Sequence, residues 1–398
     1  MRFCEMANQI GVTEYPELFD RIYKNIALDT PACDLELIDR LEKKYNLFGD
    51  YYSVLRETAQ QVNADPIYSI WVKVASEYCL NHCPTVVPAV PDAARTGTAV
   101  TDLLLFYIIL PRIPHSIDKY LSRGFEEEEI NKLLKVYSSS IRASHNYIGR
   151  PALSLGYFRW MSHFAMGTIF ETDGFQFDIK QLPDQATWLK NKQTGQIVPL
   201  VHSGTFHASG KCIAGTRGYK ETEGAFTVTY TEDDENYYGH GVYDSVVNAT
   251  GEVFSKALWE KVGAAGDVCL YIHIPNCADI SRDTTMKACL NAKKIMQQKF
   301  PEYNAKLIYT SSWILNPMLK QMLGESAKIP QFLDCFIKYP SRDANGASVL
   351  SFVFDKKYEN YADLPENTSL QRKLKQLYLD GGCLHSYSGA IYIGEESL

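Results

Sequence analysis

Residues Asp267 to Trp313 constrain the fold of this chain most, because they read as strand, loop, helix, strand. Val268, Leu270, Ile272 and Ile274 alternate with Cys269, Tyr271 and His273. A period of two puts the first set on one face of a sheet and Tyr271 with His273 on the other. Pro275 lacks a backbone donor and closes the strand. Asn276 to Ile280 then form a short loop, and Ser281 or Asp279 can cap the helix that follows. Asp283 suits its positive first turn. Met286, Cys289, Ala292, Met296 and Phe300 recur at helical spacing, with Lys287, Asn291, Lys294 and Gln298 opposite them. Pro301 ends the helix, and Ala305 to Ser311 supply a second strand. A crossover of this length predicts two parallel strands.

Such a unit presents free backbone N–H groups at the loop and the first helical turn. Together with the helix dipole they can bind an anion, typically a phosphate. Five lysines against one glutamate between Met286 and Leu307 make the surroundings cationic. The plainer reading is a solvated basic face of the kind any such unit carries, since no glycine fingerprint marks the loop.

At 398 residues the chain is long enough for two or three domains. A net charge of -7 argues against general nucleic-acid binding, which shows a basic surplus. Ten cysteines at scattered spacings, with no signal peptide at the N-terminus, predict reduced thiols and a cytoplasmic location. The longest strongly apolar run, Leu103 to Leu110, is too short to cross a bilayer, so a core helix and no membrane partner are expected.

Residues 14 to 164 carry helical periodicity almost throughout. Leu37, Ile38, Leu41, Tyr45 and Phe48 mark one amphipathic helix; Ile67, Ile70, Val74 and Tyr78 mark another. A loop rich in Pro, Ala and Thr (Pro84 to Thr98) precedes Leu103 to Leu110, whose apolar character on all sides predicts a central helix. Glu126 to Glu129 start a helix at its favourable end. The pattern changes near Gly167. Phe175 to Phe177, Ile197 to Val201 and Phe226 to Tyr230 read as strands. Glu232 to Glu235 read as a solvated turn, and Phe254, Leu258 and Val262 as a short helix. Asn316 to Leu323 form a further helix. Phe332 to Tyr339 and Val349 to Phe354 read as strands joined through Asn345-Gly346, a hairpin signal. Thr368 and Gln371 have capping-box spacing ahead of Leu370, Leu374 and Leu377, and Gly381 can end that helix. The expected architecture is α+β or α/β: an all-helical N-terminal domain over 1–164, then a mixed β-sheet domain with flanking helices over 165–398.

Several strings, in this order, resemble a bacterial acyltransferase family that joins a helical N-terminal domain to a C-terminal domain of the GNAT (N-acetyltransferase) type. They are Tyr271-Ile272-His273-Ile274-Pro275, Ser312-Trp313-Ile314-Leu315-Asn316-Pro317, and Leu364-Pro365 followed by Thr368-Ser369-Leu370-Gln371-Arg372. Trp160, His163, Gly167 and Phe175-Gln176-Phe177 resemble the family's domain junction. The resemblance implies an acyl-CoA co-substrate such as acetyl-CoA, a small-molecule amine acceptor, and direct attack on the thioester. A helical domain that covers or shapes the acceptor site is expected, and no metal. The resemblance also implies a pyrophosphate site at the loop after the fourth strand: Ile274, Asn276, Cys277, Ala278, Asp279, Ile280 and Ser281. Cys277 stands where the family more often has Gly, which puts a side chain beside the phosphates. Asn316 stands where the family more often has Asp.

His273 lies on the face away from the apolar set and beside that loop, where a histidine can take the proton of an attacking ammonium. The alternative is a hydrogen-bonded histidine that positions the loop. Ser312, facing the acyl carbonyl or leaving thiolate in a GNAT arrangement, can donate a proton or simply cap the next helix. Tyr309 and Tyr271 are further donors. Gln176 reads as a buried group bonded to backbone or as a substrate contact. Cys79, His82 and Cys83 read as buried thiols rather than a zinc site, for want of a fourth ligand. Cys277 near His273 is a possible nucleophile without an orienting third group. The functional expectation is an acyl-CoA-dependent acyltransferase, with N-acetyltransferase chemistry implied by the resemblance. The alternative is a non-catalytic binding protein that keeps the fold.

Overall fold

The computed structural model describes residues 2–82, 99–210, 224–275, 278–341, 347–354, 358, 360–382 and 384–394. The expected loop Pro84–Thr98, the Asn345-Gly346 turn, Cys83, Asn276 and Cys277 fall wholly or almost wholly outside these residues. The chain divides into two compact units, Met1–Phe170 and Glu171–Leu398.

Up to Ala165 the first unit is helical among its described residues. Its helices are α1 (Phe3–Gln9), α2 (Leu18–Asn25), α3 (Leu35–Tyr45), α4 (Tyr52–Ala64), α5 (Pro66–Asn81), α6 (Ala99–Ile109), α7 (Arg112–Ser122), α8 (Glu127–Leu134), α9 (Val136–Ile148) and α10 (Leu155–Ala165). The starts follow side-chain chemistry. Asp34, Asp65 and Ser154 accept from backbone amides of the first turn, and Pro66 follows Asp65 where its missing N–H costs nothing. Leu103 to Leu110 are buried on every side of α6. The stretch Val100–Ser122 is long and apolar enough to cross a membrane, and 72% of its most apolar window is buried within the fold. Its apolar surface is therefore largely spent on the protein core. Arg112 donates to the last carbonyls of α5, Cys79 at 2.6 Å and Leu80 at 2.7 Å, and to Ala165 at 3.4 Å. Lys119 donates to the Met166 carbonyl at 2.8 Å. These two cations tie the end of α10 into the helical unit. Cys79 is buried in α5, and His82 stacks on Tyr78 with ring centroids 4.6 Å apart.

The second unit is built on two sheets. Its strands are β1 (Ile169–Thr172), β2 (Phe175–Gln181), β3 (Ala186–Asn191), β4 (Ile197–Val201), β5 (Ser203–Phe206), β6 (Phe226–Thr229), β7 (Thr231–Glu232), β8 (Asn236–Tyr243), β9 (Val246–Val247), β10 (Glu252–Ser255), β11 (Trp259–Gly263), β12 (Val268–His273), β13 (Leu307–Ser312), β14 (Ile337–Pro340) and β15 (Tyr387–Tyr392). Its helices are α11 (Arg282–Lys299), α12 (Met318–Leu323), α13 (Lys328–Leu333), α14 (Ala347–Val353) and α15 (Ser369–Leu379). The first sheet runs β1-β2-β12-β13-β15-β14, and the second β10-β8-β4-β3-β11, with β7 and β9 on β8. β5 and β6 form a ribbon. β12 and β13 are parallel, joined by α11 as the crossover rule requires. Thr368 and Gln371 make the reciprocal capping box of α15.

Three expectations change. Phe254, Leu258 and Val262 do not share a helix: Phe254 lies in β10, Val262 in β11, and Leu258 in the turn between them. Val349 to Val353 are helical, within α14, and Phe332 belongs to α13, so only Ile337–Pro340 of that proposed hairpin is strand. The third concerns β12. Leu270 and Ile272 are buried on their face, but Cys269 is fully buried on the other. One core cluster joins Cys269, Leu307, Tyr309, Tyr339 and Ala390 of the first sheet to Ala186, Trp188, Val201 and Val262 of the second. The face expected to be free of core is the inside of a sandwich. The sheets approach closely at Gly263, where a Cβ would sit 2.5 Å from Leu307 Cδ1.

Candidate active site

Parity along β12 and β13 sorts the site residues. Tyr271 is bridged to Tyr309, so His273, Tyr309 and Ser311 share Tyr271's face, whereas Ser312 projects to the other. The ring of His273 lies 4.8 Å from that of Tyr271, and Tyr309 meets Tyr271 edge-on at 5.7 Å. His273 Nε2 is shielded from solvent.

The two central strands part company at this point. They are bridged at Leu270–Ile308 and Tyr271–Tyr309 and at no later pair. Yet β12 stays paired with β2 through His273–Gln176, and β13 with β15 through Ser312–Tyr387. Each strand keeps its outer partner and loses the inner one, which opens a gap in the middle of the sheet. The Tyr271 hydroxyl stands in it, accepting from Ser311 N–H at 3.0 Å and donating to Ser311 C=O at 3.3 Å.

A polar network lies between the sheets beside the gap. Ser388 and Ser311 hydroxyls are 3.0 Å apart. Gln185 Oε1 accepts from Ser388 at 3.3 Å and from Tyr339 at 3.5 Å, and the Tyr339 and Tyr309 hydroxyls lie 3.3 Å apart. Burial holds the Tyr309 phenol well above its ordinary pKa, so it is a donor at neutral pH and not a base. Burial likewise pushes the Cys269 thiol up to about 12, which leaves it inert. On β2, buried Asp178 pairs with Lys180 at 3.0 Å, and Lys180 Nζ lies 4.8 Å from the centre of the Tyr271 ring.

Ser312 caps the turn after β13, its hydroxyl oxygen accepting from Ile314 N–H at 3.4 Å; its own proton is left to donate. Asn316 is nearly buried, donating to the His385 carbonyl and accepting from Met318 N–H, both at 2.9 Å. Gln176 is half-exposed and donates to the Glu171 carboxylate at 3.3 Å, so its partner is a side chain and not backbone.

Ile274, Ala278, Asp279, Ile280 and Ser281 lie between the end of β12 and the start of α11; Asn276 and Cys277 of the same set lie outside the described residues. Asp279 gathers the donors at the helix start. It accepts from Ser281 N–H at 3.2 Å and Thr284 Oγ1 at 3.0 Å, and pairs with Lys328 at 2.9 Å. The Lys328 ammonium first, then Thr284, hold its pKa down to about 2. The expected cationic surroundings are partly used up: Lys287 pairs with Asp173 at 2.8 Å and Lys293 donates to the Gly394 carbonyl at 3.0 Å. Among the described residues no group of three His, Cys, Asp or Glu is placed to hold a metal ion.

Sequence reasoning named His273, Tyr271, Tyr309 and Ser312 but passed over Asp178, Lys180, Gln185, Ser311, Tyr339 and Ser388. Asp178 and Lys180 alternate with Phe177 and Ile179 as the polar side of an ordinary half-exposed strand would, so nothing in β2 marked them. Ser311, Tyr339 and Ser388 come together through the pairing of β13, β14 and β15, and Gln185 reaches them from the turn before β3, which no local pattern encodes.

A two-sheet domain with one parallel central pair splayed at its end, preceded by a helical unit, defines a fold shared with solved acyltransferases. An acyltransferase in complex with decanoyl-CoA and teicoplanin aligns over 98% of this chain and 99% of its own, with a TM-score of 0.64 at 15% identity. An acyltransferase with decanoyl-CoA aligns over 99% and 100%, at 0.64 and 14%, and a mutant acyltransferase with octanoyl-CoA over 99% and 100%, at 0.62 and 15%. No curated protein matches the chain. The GNAT-like C-terminal domain family matches residues 169–391, more than half the chain, and this protein belongs to that family.

Proposed function

We propose that the protein is an acyl-CoA-dependent acyltransferase that moves an acyl group from the thioester to a small-molecule amine. The gap between β12 and β13 beyond Tyr271 and Tyr309 carries this reading. The Tyr271 hydroxyl holds the Ser311 main chain, and main-chain groups of β12 past Tyr271 that lack a neighbouring strand can pair with an extended amide chain, as in strand addition. The arm of CoA is such a chain. In this reading it lies in the gap, with the thioester beside His273 and the phosphates towards Ala278–Ser281. Likeness to folds solved with decanoyl-CoA and octanoyl-CoA supports it.

The amine nitrogen attacks the thioester carbonyl, a C–N bond forms and the C–S bond breaks. His273 takes the proton released by the nitrogen. A hydrogen bond from Tyr309, which burial keeps protonated, or from Ser312, whose cap uses only an oxygen lone pair, stabilises the departing thiolate, which takes up the proton collected by His273. Phosphate binding at the loop requires Lys328 and the Ser281 amide to leave Asp279 for the ligand. The acyl group proposed from the sequence is acetyl; fold relatives hold eight- and ten-carbon chains, so the donor series should run from acetyl- to decanoyl-CoA. Cys33, Cys269 and Cys289 are buried thiols, which supports a cytoplasmic setting. The test is thiol release from this series in the presence of primary amines. Amine-dependent release from at least one donor is expected; release that is the same without an acceptor contradicts amine transfer.

A further inference from the structure

The Tyr271 hydroxyl makes both hydrogen bonds that a peptide unit of an adjacent strand would make to Ser311. It accepts from the N–H at 3.0 Å and donates to the C=O at 3.3 Å. It does so one step past the last bridge between β12 and β13, where the backbone of β12 has stopped supplying partners. A side chain has replaced a strand rung. Without it, Ser311 would leave a half-buried donor and acceptor to be met by water or by closure of the two strands.

The ring is held as firmly as the hydroxyl. Lys180 Nζ lies 4.8 Å from its centre, and Asp178, itself buried, fixes that ammonium at 3.0 Å. Tyr309 packs edge-on at 5.7 Å and His273 lies at 4.8 Å. Tyr271 therefore touches Tyr309, the last bridged residue of β13, His273, the proposed base, and Ser311, two residues past the bridge. Ser311 in turn joins the Ser388–Gln185–Tyr339 network, which stiffens the β13 side of the gap.

From this geometry we infer that Tyr271 is a strut: it sets the width of the gap between β12 and β13, and so is a positioning residue for the acyl thioester. The inference rests on the acyltransferase reading for its ligand, and on the structure alone for its mechanics. It separates two parts of CoA. The thioester arm depends on the gap, whereas the phosphates lie beyond the end of β12 and do not.

Tyr271→Phe removes only the hydroxyl and keeps the ring under Lys180. Three measurements on the full chain decide the matter. The first is amide hydrogen exchange of ligand-free protein, read at Ser311. The variant should exchange at least about tenfold faster there, since a half-buried amide has lost its acceptor. Unchanged protection at Ser311 overturns the strut. The second is calorimetric affinity for decanoyl-CoA and for 3′-phospho-ADP, the nucleotide part of CoA without its arm. The variant should bind decanoyl-CoA about tenfold more weakly and the nucleotide within about twofold of wild type. Equal effects on both ligands, or none, overturn the positioning role, because general loss of stability does not distinguish them. The third is the kinetic split: KM for acyl-CoA should rise more than kcat falls, and the reverse result overturns the inference. Should Tyr271→Phe fail to fold, Lys180→Met frees the ring while keeping the hydroxyl; the same differential loss is then expected, in smaller degree, and its absence counts against the strut. Wild-type protein that binds no acyl-CoA defeats the acyltransferase reading instead, and exchange at Ser311 still decides whether Tyr271 spans the strands.

Discussion

At the scale of single residues, His273 and Asp279 make opposed demands. His273 has its place by parity on β12, beside Tyr271 and at the rim of the gap. If it is the base, His273→Ala should lower turnover about 10²- to 10⁴-fold, with CoA affinity and melting temperature nearly unchanged. His273→Gln keeps a neutral hydrogen-bonding side chain without the base. Activity restored by Gln would make the residue structural, and steady-state kinetics on the pair decides. Asp279 is the residue that must give way. Its carboxylate already holds the Ser281 amide, Thr284 and Lys328. Asp279→Ala should therefore strengthen CoA binding several-fold at low salt, by freeing Lys328 and removing a like charge, and the gain should shrink as salt rises. Weaker binding by this variant, measured by calorimetry, would mean that the loop needs Asp279 for its shape and does not place phosphate there.

At the scale of elements, the sequence was most readable where one pattern had one cause. α6 is apolar on all sides because it is central, and α15 begins where Thr368 and Gln371 cap each other. β12 was legible from its alternation, although alternation shows only which residues share a face and not what covers it. Cys269 looked exposed because the second sheet that buries it is assembled from strands scattered over some eighty residues. Phe254, Leu258 and Val262 fit a helical spacing by coincidence, their interval of four spanning a turn between strands. The gap itself was not legible, since it is the absence of a pairing between two strands that each look regular. On β14, Lys338 supplies an element-level test. Burial lowers its pKa to about 8, while its ammonium donates to the carbonyls of Leu333 and Phe336 at 2.8 and 3.1 Å. A lysine is near 10.4 when unfolded, so between about 8 and 10 the unfolded chain binds more protons and this residue's cost fades as pH rises. Any advantage in melting temperature of Lys338→Met over wild type should be largest at or below pH 8 and shrink towards pH 10. A difference independent of pH would show that the lysine is not desolvated in the fold.

At the scale of the whole molecule, the helical unit and the two-sheet unit were separable from the change of period near Gly167, and the matched family covers the second of them. What the chain does rests on whether the splayed pair β12 and β13 receives the arm of an acyl-CoA. Family membership gives the scaffold; the site gives the chemistry. Isothermal titration of the full chain with decanoyl-CoA, acetyl-CoA and free CoA, at low and at physiological ionic strength, tests this most directly. Saturable binding of one equivalent is expected, weaker at the higher ionic strength because the phosphates are charged. At least one acyl thioester should bind more tightly than free CoA, because its acyl chain adds contacts beyond those of the arm and phosphates that the two share. Failure of all three to bind at low ionic strength would contradict the assignment.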